Sequence, residues 1–122
     1  MNFEQTPLQQ MVDELAGQIL AGEVTPDGLF QLEAAQTWTH HAAYKALAKG
    51  ELLGVALPES MGGLAGGLLE VCTLLIHVGG HVAPVPVFET LIQGALPVLR
   101  YAEPDLAQRV LNGVATGDRI LT

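Results

Sequence analysis

Glu89 is flanked almost wholly by apolar residues, in the stretch from Val85 to Ile92. An unpaired carboxylate is costly to bury, so a carboxylate in such a stretch must be exposed, paired or directed into a cavity. Two interpretations therefore stay open for Glu89. Either it faces solvent on an amphipathic helix, or it lines a pocket for a ligand.

His77 and His81 lie four residues apart, a spacing at which one helix face can hold zinc. Gly79-Gly80 lies between them and should end that helix, and no HExxH pattern accompanies them. We therefore predict that these histidines interact with the dipole at a helix C-terminus rather than bind a metal ion.

Cys72 and the pair His40-His41 are further candidates for nucleophilic or acid–base chemistry. Cysteine catalysis needs a paired base and an accessible thiol. Because the neighbours of Cys72 are mostly apolar, we predict a buried and unreactive thiol. We predict that His40 and His41 lie on a solvated helix face.

Four glycines follow a short apolar segment and precede a helical one, which is the layout of a phosphate-binding turn. Such a turn needs glycines at fixed spacing, so that backbone N–H groups reach the phosphates, and often a following lysine. The glycines here fit neither of the standard spacings, and no lysine follows them. The sequence therefore predicts a structural, flexible loop containing Gly62, Gly63, Gly66 and Gly67.

Apolar residues at three- and four-residue spacing predict the helices that must position these side chains. The predicted helices run from Pro7 to about Gly22, from about Leu29 to Lys49, from Leu68 to Val78, from Val87 to about Leu96, and from Pro104 to about Gly113. The third should be largely buried, and Leu106, Val110 and Leu111 should face inward on the last. Pro97 either kinks its helix or starts a short continuation.

Helix starts are marked at two places. Thr6-Pro7 with Gln9 predicts a capping box, and Thr25-Pro26 repeats the start signal. The run from Leu52 to Leu57 is either a strand or an irregular buried segment. The fold class is therefore all-α: residues 1–122 are predicted to form one domain, an orthogonal or up-and-down bundle of about five or six helices.

Composition limits the partners. The 122 residues carry 13 acidic and 5 basic side chains, a formal net charge of −8, which disfavours binding to nucleic acid or to anionic membranes. No segment suits a signal peptide or membrane insertion, and the single cysteine fits the reducing cytoplasm. Hydrophobic residues make up 49% of the chain and charged residues only 15%. Part of the surface is therefore expected to be covered by another domain or subunit.

Four segments in order resemble the N-terminal helical domain of the acyl-CoA dehydrogenase family. The stretch from Ala46 to Glu59 is similar to the family's second helix and the segment after it, and Gly62-Gly63 matches its paired glycines. The stretch from Val78 to Pro86 is similar to the turn before the substrate-side helix, and Thr116 to Ile120 resembles the usual end of this domain.

The resemblance implies the N-terminal part of a longer three-domain enzyme whose middle β-domain and C-terminal four-helix bundle lie outside this chain. The implied reaction is α,β-dehydrogenation of an acyl-CoA thioester. A glutamate base removes the α-proton, a hydride passes from the β-carbon to FAD, and the electrons pass on to an electron-transfer flavoprotein. In the family, the base and most flavin contacts lie in the other domains. The resemblance therefore implies no catalytic, flavin-binding or metal-binding residue here, and we expect the isolated chain to be inactive.

The resemblance also implies a role in substrate binding. It places Glu89, five residues before Gly94, near the deep end of the acyl-chain pocket, with Val85, Phe88 and Ile92 as neighbours. Because each excluded CH₂ group forfeits about 0.8 kcal/mol of burial, side-chain volume here would limit the length of the acyl tail.

Two other functions remain open. One is a non-catalytic helical module that binds a partner protein, and the other is a catalytically silent subunit of a heteromeric dehydrogenase. The reading frame downstream of residue 122 would separate these from the first interpretation. We expect a homo- or hetero-oligomer. The sequence leaves open the acyl group of the substrate and whether the parent enzyme is a dehydrogenase or an oxidase.

Overall fold

Helices form nearly all of the regular structure. The computed structural model describes residues 1–122 and contains six α-helices, one π-helix and no strand. This confirms the all-α prediction. The α-helices are α1 (Pro7–Glu23), α2 (Pro26–Ala34), α3 (His41–Lys49), α4 (Leu68–Gly80), α5 (Leu96–Tyr101) and α6 (Pro104–Leu111), and the π-helix spans Phe88–Ala95.

The start of α1 is the predicted capping box. The Thr6 hydroxyl accepts a hydrogen bond from the Gln9 backbone N–H at 3.2 Å, and the Gln9 side chain accepts one from the Thr6 N–H at 3.0 Å. The helix then buries Val12, Ala16 and Leu20, which lie on one stripe and pack against α4 and α3. It ends at Glu23, one residue beyond the predicted stop at Gly22.

The prediction of one continuous helix from about Leu29 to Lys49 is wrong. The structure has two helices there, α2 and α3, separated by a loop. Gln36 has a left-handed backbone, with φ of 53°, which no α-helix can contain. His40 then starts α3: its Nδ1 atom accepts from the Ala43 N–H, and its own N–H donates to the Pro84 carbonyl at 2.8 Å. This contact with a distant segment, which local periodicity does not encode, stabilises the break.

The prediction that α4 is largely buried is also wrong. Only Val71 and Leu74 are fully buried, on the face that packs against α1. The opposite face is exposed and carries Leu69, Cys72 and Ile76. The predicted burial of Cys72 is therefore incorrect, because nothing within this chain covers the outer face of α4.

The segment from Leu52 to Leu57 is an irregular buried run and not a strand. It begins with a 3₁₀ turn, Leu52–Gly54, and all six residues are buried. It belongs to one contiguous core of 21 buried hydrophobic residues that also takes side chains from α1, α3, α4 and the π-helix. Because the core is continuous, this segment fixes the distance between the helices around it.

The C-terminal third of the chain follows the predicted order. Pro97 lies in the first turn of α5, so it starts a short continuation of the π-helix. In α6 Leu111 is fully buried and Val110 is half-buried as predicted, but Leu106 is exposed at 43%, contrary to prediction. No helix is both long and apolar enough to cross a membrane.

Candidate functional site

The segment that precedes the π-helix, from Ala83 to Val87, forms two consecutive tight turns. The Val85 N–H donates to the Ala83 carbonyl and the Val87 N–H donates to the Val85 carbonyl, each at 2.9 Å. The central residues of the two turns are Pro84 and Pro86, whose rings fix φ near the value that such turns require. The prolines therefore set the direction in which the π-helix begins.

A groove of about 370 Å³ lies beside these turns. One wall is the proline-rich segment, and the other is the loop between α2 and α3, joined to it by the bond from the His40 N–H to the Pro84 carbonyl. The groove is lined by Trp38, Thr39, Ala83, Pro84, Val85, Pro86 and Glu89. Glu89 is the only titratable side chain in this lining. The groove therefore holds no partnered acid and base for proton transfer.

The structure brings together only two of the four residues predicted for the acyl wall. Val85 and Glu89 both line the groove. Phe88 is exposed at 46% beside Glu89 but does not line the groove. Ile92 is half-buried and packs against the core.

Five of the seven groove residues were not among the predicted site residues, and two of these, Trp38 and Thr39, come from a distant part of the sequence. Trp38 and Thr39 were assigned to the interior of a continuous helix, whereas they lie in the loop and Trp38 is 84% exposed. Two β-branched residues flank Trp38 in the sequence, Thr37 and Thr39, and this is a weak signal against helix.

Behind the groove, the π-helix buries Thr90, the single buried polar residue of the chain. Its hydroxyl is hydrogen-bonded to the backbone of Leu121. The Tyr44 hydroxyl is buried beside Thr90 and makes no well-formed hydrogen bond. Burial raises the pKa of Tyr44, although the neighbouring Thr90 side chain and Lys45 oppose the rise. The back of the π-helix, which carries Thr90, Leu91 and Ala95, is therefore buried, while its front, which carries Phe88 and Glu89, is exposed.

The glycine loop before α4 is a structural element, as predicted, although it is tightly packed rather than flexible. Its backbone N–H groups donate within the chain: Gly62 to Glu59, Gly63 to Pro58, Leu64 to Gly54, Ala65 to Leu57, Gly66 to Val55, and Gly67 to the Glu70 carboxylate. No N–H of this loop remains to bind a phosphate. A side chain at Gly63 would meet the Leu57 carbonyl oxygen at 2.0 Å.

The histidines take structural positions. His77 Nε2 lies 2.6 Å from Asp13 Oδ1, and His81 Nδ1 lies 2.9 Å from the His77 carbonyl near the end of α4. His40 is half-buried as the cap of α3, so its predicted solvation is wrong, whereas His41 is exposed. No group of three or more His, Cys, Asp or Glu side chains is arranged to hold a metal ion.

Two curated proteins that are similar in sequence to this chain are both acyl-CoA dehydrogenases. Acyl-CoA dehydrogenase FadE27 of Mycobacterium tuberculosis is 30% identical over 122 residues, all of this chain and 33% of that protein. Acyl-CoA dehydrogenase FadE28 of the same organism is 32% identical over 117 residues, 96% of this chain and 29% of that protein. The chain therefore spans about a third of the length of these relatives.

Solved structures share the fold. The ChsE4–ChsE5 complex from Mycobacterium tuberculosis superposes with a TM-score of 0.92 at 30% identity, over 100% of this chain and 34% of the matched one. A variant of the Tcur3481–Tcur3483 steroid ACAD gives a TM-score of 0.87 at 37% identity, over 93% of this chain and 31% of the matched one. The family model for the N-terminal domain of acyl-CoA dehydrogenase matches residues 6–118. The chain therefore belongs to the acyl-CoA dehydrogenase family, as that family's N-terminal domain.

Proposed function

We propose that this chain is the N-terminal helical domain of an FAD-dependent acyl-CoA dehydrogenase and supplies part of the wall of its acyl-chain pocket. The observation that carries the proposal is the family match over residues 6–118, together with relatives about three times as long. In this proposal residues 1–122 are one domain of a longer polypeptide. The middle β-domain and the C-terminal helical domain would complete the active site.

The proposed wall consists of the front of the π-helix, where Phe88 and Glu89 are exposed, and of the groove beside it. Phe88 offers an exposed aromatic ring and Glu89 is the single carboxylate, whereas Val85 is buried and Ile92 is half-buried against the core. Pockets for small molecules are mostly apolar with few polar groups, and they often form between domains. An open apolar face with one carboxylate fits one side of such a pocket.

The exposed apolar surface supports the view that other domains or subunits cover this one. Exposed large hydrophobic side chains include Phe30, Trp38, Leu69, Ile76, Val82 and Tyr101. Phe30 and Val82 flank a second groove of about 440 Å³ between the start of α2 and the end of α4. Leaving so many large apolar groups in water is unusual for a monomeric protein.

The residues of this chain do not fit a flavin site of their own. The glycine loop uses its N–H groups internally, and the five basic residues do not gather around a common cavity. FAD, which supplies hydride acceptance in the family, would be held by the remainder of the longer protein. An electron-transfer flavoprotein would receive the electrons from that complete enzyme. We expect this 122-residue chain alone neither to retain FAD nor to oxidise an acyl-CoA.

For the substrate, we propose an acyl-CoA thioester that bears a steroid-derived group. The support is the 37% identity to a protein described as a steroid ACAD. A straight-chain acyl-CoA is the alternative, and the two are distinguished by comparing kcat/KM for a steroid-bearing and a straight-chain thioester. A preference for the straight chain would contradict this part of the proposal.

A second candidate function is a subunit of a hetero-oligomer in which the partner carries the catalytic base. The observation that favours it is that both matched structures come from proteins named as pairs of different chains. In that case the complete polypeptide would be inactive alone and would gain activity when expressed with its partner.

The test is to purify the complete polypeptide encoded by the gene, alone and co-expressed with neighbouring dehydrogenase subunits. Flavin absorbance and acyl-CoA-dependent reduction of an artificial electron acceptor are measured. We expect flavin and activity in the complete protein or its complex, and neither in residues 1–122. A gene that ends after Thr122, or a complete protein without either property, would overturn the proposal.

A further inference from the structure

The last ten residues cross back over the domain as a strap, defined here as residues 113–122. Arg119 Nη1 donates to the carbonyl oxygens of Arg109 and Val110, at 2.7 and 2.9 Å. These carbonyls belong to the last turn of α6, where backbone acceptors lack helical partners. Lys45 Nζ lies 2.7 Å from Asp118 Oδ1 and ties the strap to α3.

The end of the strap is bound to the back of the π-helix by one hydroxyl group. The Thr90 hydroxyl donates to the Leu121 carbonyl and accepts from the Leu121 N–H, each at 3.3 Å. A hydroxyl can do both because it carries one proton and two lone pairs. Thr90 is completely buried, so its hydroxyl has no water to bond and is satisfied by the Leu121 backbone.

Gly94 completes this attachment by its lack of a side chain. A Cβ atom at Gly94 would lie 2.6 Å from Leu121 Cβ and 2.9 Å from Leu121 Cδ1. Gly94 is needed for this close approach and not for a left-handed backbone, since it is absent from the residues with positive φ. Thr90 and Gly94 lie about one turn apart and together form a notch that holds Leu121.

The opposite face of the same π-helix carries Phe88 and Glu89, both exposed. A π-helix is rare and occurs mostly as a short insertion, frequently at functional sites, so external contacts must stabilise it. Leu121 packs directly against Thr90 and Gly94, so a change in its position would act on this helix at those two residues. Phe88 and Glu89 would then move relative to the rest of the domain.

We propose that Thr90 and Gly94 are positioning residues that hold Leu121 and thereby set the placement of Phe88 and Glu89, and so the size of acyl group accepted. The effect on acyl selectivity rests on the proposed function, whereas the attachment of the strap to the π-helix does not. The two parts are therefore tested by separate measurements on the complete protein.

The first measurement is hydrogen exchange of the backbone amides in residues 87–95 and 119–122. Thr90→Val removes the hydroxyl and Gly94→Ala fills the notch, and each should accelerate exchange in both segments about tenfold. Thr90→Ser keeps the hydroxyl and should therefore exchange as slowly as the wild type in both segments. The matched controls are Thr73→Val, whose hydroxyl bonds only within α4, and Gly79→Ala, where a Cβ meets nothing within 4 Å. Unchanged exchange in Thr90→Val and Gly94→Ala would overturn the proposal.

The second measurement is the ratio of kcat/KM for a bulky and a short acyl-CoA. We expect this ratio to change by about tenfold in Thr90→Val and Gly94→Ala, mainly through KM, and to recover in Thr90→Ser. A changed exchange rate with an unchanged ratio would overturn the role in selectivity. A wild-type protein that oxidises no acyl-CoA would overturn the proposed function, while the exchange measurement would still decide whether the strap is clamped.

Discussion

His77 Nε2 lies 2.6 Å from a carboxylate oxygen of Asp13, and this contact joins α4 to α1 between residues 64 positions apart in the sequence. The same imidazole fills the space above Gly17, where a Cβ atom would lie 3.1 Å from His77 Cε1. The pair therefore fixes how the two longest helices pack along one another.

Because His77 is hydrogen-bonded to Asp13, we expect the stability of the folded protein to depend on pH. The hydrogen bond from His77 holds the pKa of Asp13 below its ordinary value of 3.8. The folded protein therefore keeps this carboxylate charged at lower pH than the unfolded chain does. Its stabilisation is complete above the ordinary pKa and is lost as pH falls through the lowered value.

Asp13→Asn should therefore reduce stability at neutral pH and make the loss of stability below pH 4 shallower than in the wild type. Urea denaturation at several pH values measures both effects. The control is Glu14→Gln, an exposed neighbour that makes no ion pair. Parallel pH curves for Asp13→Asn and the wild type would contradict the prediction.

Glu70 predicts a second effect on stability, because its carboxylate accepts from the Gly67 N–H at 2.7 Å and from the Gln9 side chain at 3.1 Å. Burial opposes ionisation of Glu70, but these hydrogen bonds outweigh it and lower its pKa. Glu70→Ala should cost about 1 kcal/mol, the usual value of a lost N-terminal cap. Thermal denaturation measures the loss, and Glu33→Ala on the exposed part of α2 is the control.

Among the glycines, Gly63 is the one at which an added Cβ atom would come closest to another residue, so we expect a large effect of a small substitution there. A Cβ at Gly63 would lie 2.0 Å from the oxygen and 2.4 Å from the carbon of the Leu57 carbonyl, neither of which can move freely. Gly63→Ala should therefore lower the free energy of unfolding by about 3 kcal/mol or more. Gly22→Ala, where a Cβ meets nothing within 4 Å, should instead raise it by about 0.5 to 1 kcal/mol. Equal effects of the two substitutions in chemical denaturation would refute this account of the loop.

We expect that replacing Val82 by glycine stabilises the protein, because Val82 has a left-handed backbone. It follows the end of α4 with φ of 53°, a conformation that is costly for a β-branched residue and usual for glycine. Its side chain is 71% exposed, so little burial is lost on removing it. Val82→Gly should raise the melting temperature, with a gain of roughly 0.5 to 1 kcal/mol. Val78→Gly, inside the helix, should lower it, and a decrease in both variants would contradict the explanation.

The sequence predicted best those features whose causes are local. The caps at Thr6 and Thr25, the continuation at Pro97 and the amphipathic stripe of α1 each depend on residues within one or two turns, and the structure contains all of them. The family resemblance is confirmed over residues 6–118. Local rules therefore suffice for these helix starts and for the buried stripe of α1.

The sequence failed where contacts between distant segments decide the outcome. The break before α3 depends on the bond from His40 to the Pro84 carbonyl, and the exposure of Cys72 depends on α1 covering one face of α4 only. For the candidate site, the sequence left two interpretations of Glu89 open, and in the structure Glu89 is exposed and lines a groove that it shares with Val85. Trp38 was missed because the local signal from Thr37 and Thr39 is weak and the loop is fixed by the distant bond between His40 and Pro84.

The central claim is that the front of the π-helix contacts the acyl group of the substrate. The most direct measurement is kcat/KM of the complete enzyme for acyl-CoA substrates of increasing tail size, in Phe88→Ala and in the matched control Phe3→Ala. Both side chains are exposed in this chain, at 46% and 86%. We expect kcat/KM for the substrate with the largest tail to change by about tenfold in Phe88→Ala and to stay unchanged in Phe3→Ala. The reason is that a phenyl ring contributes several CH₂ equivalents of apolar contact. Identical tail dependence in the wild type and both variants would contradict it.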